Sequence, residues 1–394
     1  MTGPYPLTRR AFLASTALAA SGAFAAPFAK PESRWLGYTA YRTNRPTRHA
    51  NMVTSRAWVV CADGSGAREL APELAAAENT WTQFAGWSPD GQLALIGCGW
   101  EDPNNAVWEE EHKTFRMTEG WRYDMYTLDM ASGTLTNLTA VDRVSDYNTG
   151  IIFLPGSDKL AFTALIDGVS HPFEMDRDGR NKRDMTDGDA AFTYGLSASP
   201  DGKHVAYHKD YQVYVADADG ANARKIETGN PFNFVPQWSP DSAWLMFVSG
   251  EHYDCHPCLV RPDGSEFHRI ASRQGYSGVT PVYDVYDFHG GSSDVPVWSA
   301  DGKGLYYTAK FGDAIELMYV TLDGTVTRLT ESKPGVAHYH PKPSEEGALL
   351  AFGATRTGTR QLYVMPTDGG DATAITGVPE GHGAMWAHWR PVAR

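Results

Sequence analysis

Histidines form the pattern in this sequence that most directly suggests chemistry. His338 and His340 are separated by one residue, so on a β-strand, where side chains alternate between faces, both imidazoles would point the same way. His208 and His252 each lie 12 residues before the glycine of an Asp-Gly pair, which gives them equivalent places in the sequence. Neutral imidazoles are common ligands of divalent metals. A His-x-His pair with further histidines from nearby loops therefore predicts a divalent-metal site.

These histidines belong to a block that recurs along the chain. In the copy that spans residues 233–264, an apolar run leads into the tight-turn sequence Trp238-Ser239-Pro240-Asp241, and a second apolar run follows. A polar loop then leads to a third run that ends in the hairpin signal Asp263-Gly264. Four short strands joined by tight turns within about 40 residues are typical of one propeller blade.

Further copies of the block run from end to end of the chain. Their markers are Trp87-Ser88-Pro89-Asp90-Gly91, a degenerate run over residues 151–185, Ser199-Pro200-Asp201-Gly202, Trp298-Ser299-Ala300-Asp301-Gly302 and Pro343-Ser344-Glu345-Glu346-Gly347. An early copy, residues 35–70, has no opening strand, whereas residues 387–391 read like an opening strand with no block behind it. The sequence therefore predicts an all-β fold, a seven-bladed β-propeller of four-stranded blades. The C-terminal strand would join the N-terminal blade and so remove the free sheet edges.

Most histidines would fall on one face of such a propeller. The connections into the innermost strands and those between the second and third strands share that face, and the hairpin turns occupy the other. Ten of the thirteen histidines lie in or beside connections on the first of these faces, and only His204, His268 and His388 do not. Because a random scatter would also place histidines on the turns, this bias indicates a functional face.

The N-terminus has the layout of a cleavable export signal. Arg9-Arg10 precedes an apolar, alanine-rich run, which ends in Ala23-Phe24-Ala25. A basic region, a short apolar stretch and small residues in this order indicate a twin-arginine signal peptide over residues 1–25. The run is too short and too rich in small residues for a stable membrane span. Residues 26–394 would then form the propeller domain of a periplasmic or secreted protein.

Composition limits the kinds of partner. The formal net charge of −13 argues against binding to a nucleic acid or an anionic membrane. No Ser/Gly/Pro-rich linker or charge run divides the blades, so a single domain is expected although the chain has 394 residues. An anionic substrate would need positive groups that are concentrated locally.

Four cysteines are open to several interpretations. Cys61 and Cys98 fall near blade strands, where buried free thiols are common. Cys255 and Cys258 could form a small disulfide loop, a redox pair or half of a metal site. The sequence has no second Cys-x-x-Cys and no thioredoxin-like βαβ pattern, which favours a structural pair.

The blades resemble known propellers. The Ser-Pro-Asp-Gly and Asp-Gly turns look like those of the TolB-like group with PD40-type repeats. Residues 194–389 more specifically resemble oligogalacturonate lyases, which are seven-bladed enzymes that cleave uronate oligosaccharides. The stretches that carry this resemblance are Tyr207-His208-Lys209-Asp210-Tyr211, Gly250-Glu251-His252 and His338-Tyr339-His340-Pro341.

The resemblance implies a metal centre. Three histidines and a glutamine hold a manganese ion in that family, and His252, His338 and His340 would be the histidine ligands in this chain. The position of the glutamine falls on Gly335, so His289 or water would complete the shell. Manganese is the metal that the resemblance implies, with calcium and zinc as alternatives.

The resemblance also implies a reaction, β-elimination across C4–C5 of a uronate. A base removes the weakly acidic C5 proton, a cation disperses charge on the C6 carboxylate, and an acid protonates the departing O4. His208 would be the base, Tyr211 is the candidate acid, and no arginine matches the family's catalytic arginine. Residues predicted to contact the acidic oligosaccharide are Arg48, His49, His171, Lys209, Arg356 and Arg360.

Two classes of function follow from the sequence. The first is a metal-dependent lyase acting on uronate-containing oligosaccharides, which the clustered histidines favour. The second is a non-catalytic periplasmic propeller that binds a protein or a glycan, as the TolB-like resemblance implies. The missing glutamine and arginine keep this second class open. A serine hydrolase is not indicated, because the sequence has no Gly-x-Ser-x-Gly motif.

Overall fold

Seven antiparallel sheets arranged in a ring make up the fold, and the predicted seven-bladed propeller is confirmed. The computed structural model describes residues 34–112, 120–140, 143–144, 151–166, 169–186, 193–280 and 293–392. The predicted signal peptide lies outside these ranges and stays a prediction. Among the described residues, no helix has the length and apolar character needed to cross a membrane.

Blades 1 to 4 are given from the innermost strand outwards. Blade 1 contains β29 (His382–Trp389), β1 (Trp35–Arg42), β2 (Arg56–Cys61) and β3 (Arg68–Glu69). Blade 2 contains β4 (Thr80–Trp87), β5 (Leu93–Glu101), β6 (Trp121–Asp129) and β7 (Leu135–Asn137). Blade 3 contains β8 (Arg143–Val144) and β9 (Ile152–Phe153), which both pair with β10 (Lys159–Ile166), then β11 (Val169–Asp176) and β12 (Arg183–Asp184). Blade 4 contains β13 (Thr193–Ala198), β14 (His204–Lys209), β15 (Gln212–Asp217) and β16 (Arg224–Lys225).

Blades 5 to 7 follow the same order. Blade 5 contains β17 (Phe232–Trp238), β18 (Leu245–Glu251), β19 (Asp254–Val260) and β20 (His268–Arg269). Blade 6 contains β21 (Val297–Trp298), β22 (Gly304–Phe311), β23 (Ala314–Thr321) and β24 (Val326–Arg328). Blade 7 contains β25 (His338–Pro343), β26 (Leu349–Ala354), β27 (Gln361–Pro366) and β28 (Thr373–Ala374). The helices are α1 (Arg48–Met52), a 3-10 turn (Pro72–Ala75) and α2 (Pro103–His112).

The C-terminal strand closes the ring. β29 pairs antiparallel with β1, from Leu36 opposite Trp389 to Arg42 opposite His382. The predicted closure is confirmed, although the strand begins at His382, before the predicted start at residue 387. Blade 1 is therefore built from both ends of the chain, and β29 covers the inner edge of β1.

The recurrent Ser-Pro-Asp-Gly sequence closes the turn between the first and second strands. In blade 4, Ser199 Oγ donates to Asp201 Oδ1 at 2.7 Å and accepts from the backbone N–H of His204 at 2.9 Å. The bond from Ser199 lowers the pKa of the Asp201 carboxyl. The same serine-to-acid bond occurs at Ser88, Ser239, Ser299 and Ser344. Local chemistry thus determines these turns without help from distant residues.

Apolar side chains hold neighbouring blades together. Val215 of blade 4 and Phe247 of blade 5 share one buried cluster, and Leu36 of blade 1 packs with Leu362 of blade 7 in another. Full burial of one such side chain is worth about 1.5–3 kcal/mol. The seam that closes the ring is therefore held by side-chain packing as well as by strand pairing.

A bulge occurs at the same position in four of the innermost strands. It lies four residues before the serine that begins the turn, or before the residue that replaces this serine. Left-handed φ values occur there at Gly195 (+69°), Val235 (+50°), His340 (+50°) and Trp386 (+56°). The register of strand pairing shifts at each of these points. A bulge re-aims the side chain of its residue, so the regular alternation of a strand is lost at this position.

Candidate functional site

The predicted site residues lie on one face of the ring, which we call the loop face. It comprises the ends of the sheets where β4, β13, β17, β25 and β29 begin and where the second strand of each blade connects to the third. The described site residues form separate groups there, around His338, around His252 and around Arg48. His289 lies outside the described residues, so its predicted role as a ligand stays a prediction.

His338 has partners at both ring nitrogens. Its Nδ1–H donates to the backbone carbonyl of Ile315 at 2.8 Å, and its Nε2 accepts from both Nε and Nη2 of Arg356 at 3.1 Å. Arg356 also lies over the rings of Phe352 and Tyr363, with its Cζ 5.4 and 5.3 Å from their centroids. Burial lowers the pKa of His338 to about 4. This ring is therefore neutral and buried, and the arginine covers its only lone pair.

His340 faces a different set of partners. Its positive φ places it on the bulge of β25, and its Nε2–H donates to the backbone carbonyl of Ser293 at 2.6 Å. The ring stacks at 6.2 Å from that of Trp386 in blade 1. The expectation that strand alternation points both imidazoles the same way is wrong, because the bulge interrupts the alternation between His338 and His340.

The described histidines do not converge on one point in this conformation, and the predicted manganese centre stays a prediction. His338 uses both nitrogens in hydrogen bonds, His340 has its Nε2 committed to Ser293, and His252 belongs to blade 5, where its ring packs against Phe232. Within the part of the chain that the structure describes, no group of three or more His, Cys, Asp or Glu side chains is placed to hold a metal ion. We therefore assign no chemical step to a metal.

A buried polar cluster that the sequence did not reveal supports His340. Asp294 Oδ1 accepts the backbone N–H of His340 at 3.0 Å, while its Oδ2 accepts Tyr276 Oη at 3.0 Å and Thr308 Oγ1 at 2.7 Å. The fully buried Arg273 donates from Nη2 to the backbone carbonyl of Asp294 at 2.6 Å. Burial and the nearby Asp294 raise the pKa of Tyr276 well above its ordinary value. No motif marks these residues, since they meet only in the folded chain.

An aromatic surface joins blades 4 and 5, and we call it the aromatic patch: Tyr211, Phe232, His252 and Tyr253. Ring centroids lie 5.3 Å apart for Tyr211 and Phe232, 5.2 Å for Phe232 and His252, and 4.1 Å for His252 and Tyr253. His252 is exposed and the other three rings are partly exposed. The predicted acid Tyr211 and the predicted ligand His252 are thus brought to one accessible surface.

The predicted base His208 lies beneath this surface. Its side chain is fully buried, and its ring meets that of Phe234 edge-on at 5.8 Å. Nδ1 accepts the backbone N–H of Val235 at 3.2 Å, which is the bulge residue of blade 5. A base must come within hydrogen-bond reach of the proton that it removes. His208 therefore packs beneath the aromatic patch in this conformation, and its role as base stays a prediction.

Two predicted substrate contacts belong to a charged network between blades 1 and 2. Arg48 Nη2 lies 3.3 Å from Glu101 Oε1 and 2.9 Å from Glu109 Oε2, and both carboxylates are buried. His49 contacts Glu101 Oε2 through Nδ1 at 2.9 Å and Asn79 Oδ1 through Nε2 at 3.2 Å. The sequence analysis did not identify the two glutamates. They form ion pairs with Arg48 and His49, which were expected to contact an anionic sugar.

The other predicted contacts are scattered over the loop face. His171 is buried within blade 3, where its Nδ1 lies 3.1 Å from Asp184 Oδ2. Lys209 ends β14 with its Nζ 5.4 Å from the ring centroid of Tyr214. Arg360 precedes β27 and is partly exposed, as is Arg356. Arg356, Arg360 and Lys209 are therefore the predicted basic residues that stay near the surface.

The cysteines are buried or partly buried thiols. Cys61, Cys98, Cys255 and Cys258 are all free. Cys255 and Cys258 lie on β19 but pack in different apolar clusters, one with Phe234 and the other with Phe247. Burial raises the pKa of both thiols to about 12. The two thiols are therefore separate buried side chains and the predicted structural pair is not formed, because residues at odd spacing on a strand point to opposite faces.

Comparison with known proteins confirms the resemblance to TolB-like propellers. Residues 205–391 match the TolB beta propeller domain family, PD40. An uncharacterised protein of Agrobacterium fabrum is 27% identical over 232 residues, which are 49% of this chain and 79% of that protein. The family match runs from the second strand of blade 4 through blades 5 to 7 and includes β29 of blade 1.

Solved structures extend the likeness to nearly the whole chain. An oligogalacturonate lyase in complex with manganese superposes with a TM-score of 0.55 at 15% identity, covering 89% of this chain and 88% of that one. TolB from Acinetobacter baumannii superposes with a TM-score of 0.50 at 15% identity, covering 91% and 67%. At this identity the two likenesses establish a shared propeller fold and no more.

Proposed function

We propose that the loop face binds an acidic oligosaccharide. The observation that carries this proposal is the aromatic patch, in which four neighbouring rings remain accessible on the loop face. Ligand sites typically combine aromatic walls with a few polar groups that fix orientation. A sugar ring presents a flat face of C–H groups, which can pack on an aromatic side chain, and its hydroxyls stay in contact with water.

Basic side chains on the same face support an acidic ligand. Arg356 pairs with the neutral His338 and forms no ion pair with a carboxylate among the described residues. Its guanidinium can therefore receive a sugar carboxylate without first losing an internal salt bridge. Charge-assisted bonds from arginine to carboxylate are among the stronger hydrogen bonds in proteins. In a chain of net charge −13, such local positive groups favour a uronate over a neutral sugar.

Elimination is the second candidate, favoured by the presence of a phenol and an imidazole on the aromatic patch. His252 is exposed, and Tyr211 lies beside it across Phe232. In the reaction, a base takes the C5 proton, the electron pair forms the C4–C5 double bond, and the C4–O4 bond breaks as O4 gains a proton. His252 as base and Tyr211 as acid could supply these two transfers. A pure binding protein would use the same residues only for contact.

Calorimetric titration of the full chain with trigalacturonate tests the binding proposal. The methyl-esterified trimer and maltotriose are neutral comparison ligands. His252→Ala should weaken binding by about three- to tenfold, the scale of one lost aromatic contact. Arg356→Gln should weaken binding of the acid but not of the ester. Leu322→Ala, which removes an exposed apolar side chain from the turn between β23 and β24 on the opposite face, is the control and should bind like the wild type.

The results separate the candidates. Absence of binding to acidic oligosaccharides by the wild type would reject the proposal and leave a protein partner as the interpretation. If binding is seen, absorbance of unsaturated uronate during incubation tests elimination, and Tyr211→Phe should abolish turnover while leaving affinity nearly unchanged. Binding without new absorbance would restrict the function to recognition. The proposal also places the protein outside the cytoplasm, in keeping with the predicted twin-arginine signal.

A further inference from the structure

Lys342 occupies an unusual position on the innermost strand of blade 7. Its side chain is exposed, yet burial lowers its pKa below the ordinary value. A side chain that touches water while protein surrounds it must lie in an internal, water-filled space. In a propeller this space is the central channel, which the innermost strands of all blades enclose. The place of Lys342 on the innermost strand, together with its exposure, puts its side chain at the wall of this channel.

His388 takes the equivalent place in the neighbouring blade. Lys342 lies two residues before Ser344, and His388 lies two residues before Arg390, which replaces the turn serine in blade 1. Trp389 Nε1 donates to the backbone carbonyl of Lys342 at 2.9 Å, so the two strands are adjacent at this level. Burial, together with the positive charge of Lys342, lowers the pKa of His388 to about 3. The imidazole is neutral and offers one N–H donor.

The described channel wall holds no carboxylate at this level. In the other blades the equivalent positions are Gly86, Ile152, Ser197, Gln237 and Val297. Asp294, which lies near His340, is buried and already accepts bonds from Tyr276, Thr308 and the backbone of His340. The side chain of Lys342 makes no ion pair or hydrogen bond with another described residue. Its charge therefore has no internal counter-charge in the part of the chain that the structure describes.

We propose that the central channel binds a small oxyanion, a carboxylate or a phosphate, between Lys342 and His388. An ammonium group with protein walls around it is less well solvated than one in bulk water, so a bound anion compensates for part of that loss. Low-dielectric walls also focus the field of a single charge along the channel. Lys342 supplies the charge, His388 supplies a neutral N–H, and the channel water supplies the remaining hydrogen bonds.

This site is separate from the proposed oligosaccharide surface. It lies on β25 and β29 inside the ring, whereas the aromatic patch lies on the connections of blades 4 and 5. A sugar acid and free phosphate share the oxyanion chemistry, so both are used as probes. Loss of one site should leave the other intact, and the two proposals can fail independently.

The test is the thermal stability of the full chain in a chloride-free zwitterionic buffer, titrated with sodium phosphate, sodium galacturonate or glucose. A ligand that binds only the folded state raises stability with its concentration. The wild type should gain stability in a saturable manner with the anions and not with glucose. Lys342→Met should lose the effect, with affinity reduced about tenfold or more. Lys333→Met, at an exposed lysine before β25, should behave like the wild type.

Stability without anion provides a second readout. Removal of an uncompensated charge from the channel should leave Lys342→Met at least as stable as the wild type in the ligand-free buffer. If this variant fails to fold, His388→Gln takes its place, with a reduced anion response expected. A response to galacturonate alone would identify a sugar acid as the ligand, and a response to both anions would identify a general oxyanion site. An unresponsive wild type, or an equal response in Lys342→Met, would overturn the proposal.

Discussion

The indole Nε1 of Trp389 donates to the backbone carbonyl of Lys342 at 2.9 Å, across the seam where blade 1 meets blade 7. The same bond joins Trp87 to the carbonyl of His388 at 3.0 Å and Trp298 to that of Gln237 at 3.2 Å. In each case a tryptophan that directly precedes a turn donates to the preceding blade. The acceptor is the carbonyl of the residue that lies two positions before the turn serine, or its replacement, in that blade. The tryptophan of the repeat is therefore a link between blades.

This link predicts a measurable cost for Trp389→Phe. The substitution keeps an aromatic ring but removes the donor, so the free energy of unfolding should fall by about 0.5–1.5 kcal/mol. Urea unfolding followed by fluorescence measures the change. Trp298→Phe removes the same kind of bond from a seam within the continuous chain and should cost a similar amount. An unchanged midpoint for both variants would show that the bonds do not contribute.

Removal of residues 382–394 should abolish cooperative unfolding. Without β29, the edge of β1 is unpaired and the apolar cluster that contains Leu36 and Leu362 is exposed. An open edge also promotes association with other chains. Calorimetry and light scattering of the truncated chain check this expectation. A sharp transition at the temperature of the full chain would contradict closure by the C-terminal strand.

Asp294→Ala should be strongly destabilising. The carboxylate accepts hydrogen bonds from Tyr276, Thr308 and the backbone of His340, and all three donors would lose their partner. A buried donor that is left unsatisfied typically costs about 1–3 kcal/mol. Urea unfolding provides the measurement. Asp313→Ala, at an exposed turn between β22 and β23, is the control and should change the stability by less than about 0.5 kcal/mol.

The His49 network predicts a dependence of stability on pH. Burial alone would lower the pKa of His49, but the bonds to Glu101 and Asn79 and the charge of Glu101 outweigh it and raise the pKa above 6.5. The folded state thus binds the proton more tightly than the unfolded state. The stabilisation is complete below 6.5 and is lost as the pH rises through the raised pKa.

The advantage of the wild type over His49→Gln should accordingly shrink as the pH rises above 6.5 and through the raised pKa of His49. Urea unfolding at several pH values measures it. Glu101→Gln removes the carboxylate that holds the proton, and in that background the same comparison should show little dependence on pH. A constant difference across the range in the wild-type background would contradict the raised pKa.

Cys255 and Cys258 should be inert in the native protein. Thiolates are the reactive form, and burial raises the pKa of both thiols to about 12. Labelling with iodoacetamide at neutral pH, followed by mass spectrometry, should modify neither residue until a denaturant is added. Rapid labelling of the native chain, or a mass loss that indicates a disulfide, would contradict the buried thiol pair.

Local sequence features were sufficient to predict the propeller and its closure. Ser199 and Asp201 satisfy backbone groups within five residues of each other, so each turn is determined locally and its recurrence counts the blades. Closure was predicted because the first block has no opening strand and the C-terminus has an opening strand with no block behind it. Residues 387–391 could be assigned to the first blade because strand patterning is also a local property.

The orientations and partners of the histidines, in contrast, depend on contacts that form only in the folded chain. The bulge at His340 depends on pairing with β26 and on Asp294, which comes from a distant part of the chain. The ring of His338 is oriented by Ile315 and Arg356, which belong to different blades. Sequence spacing gives the face on which a side chain starts, but its direction is determined by partners that meet only when the ring closes. For the same reason Lys342 and His388, distant along the chain, become neighbours in the channel.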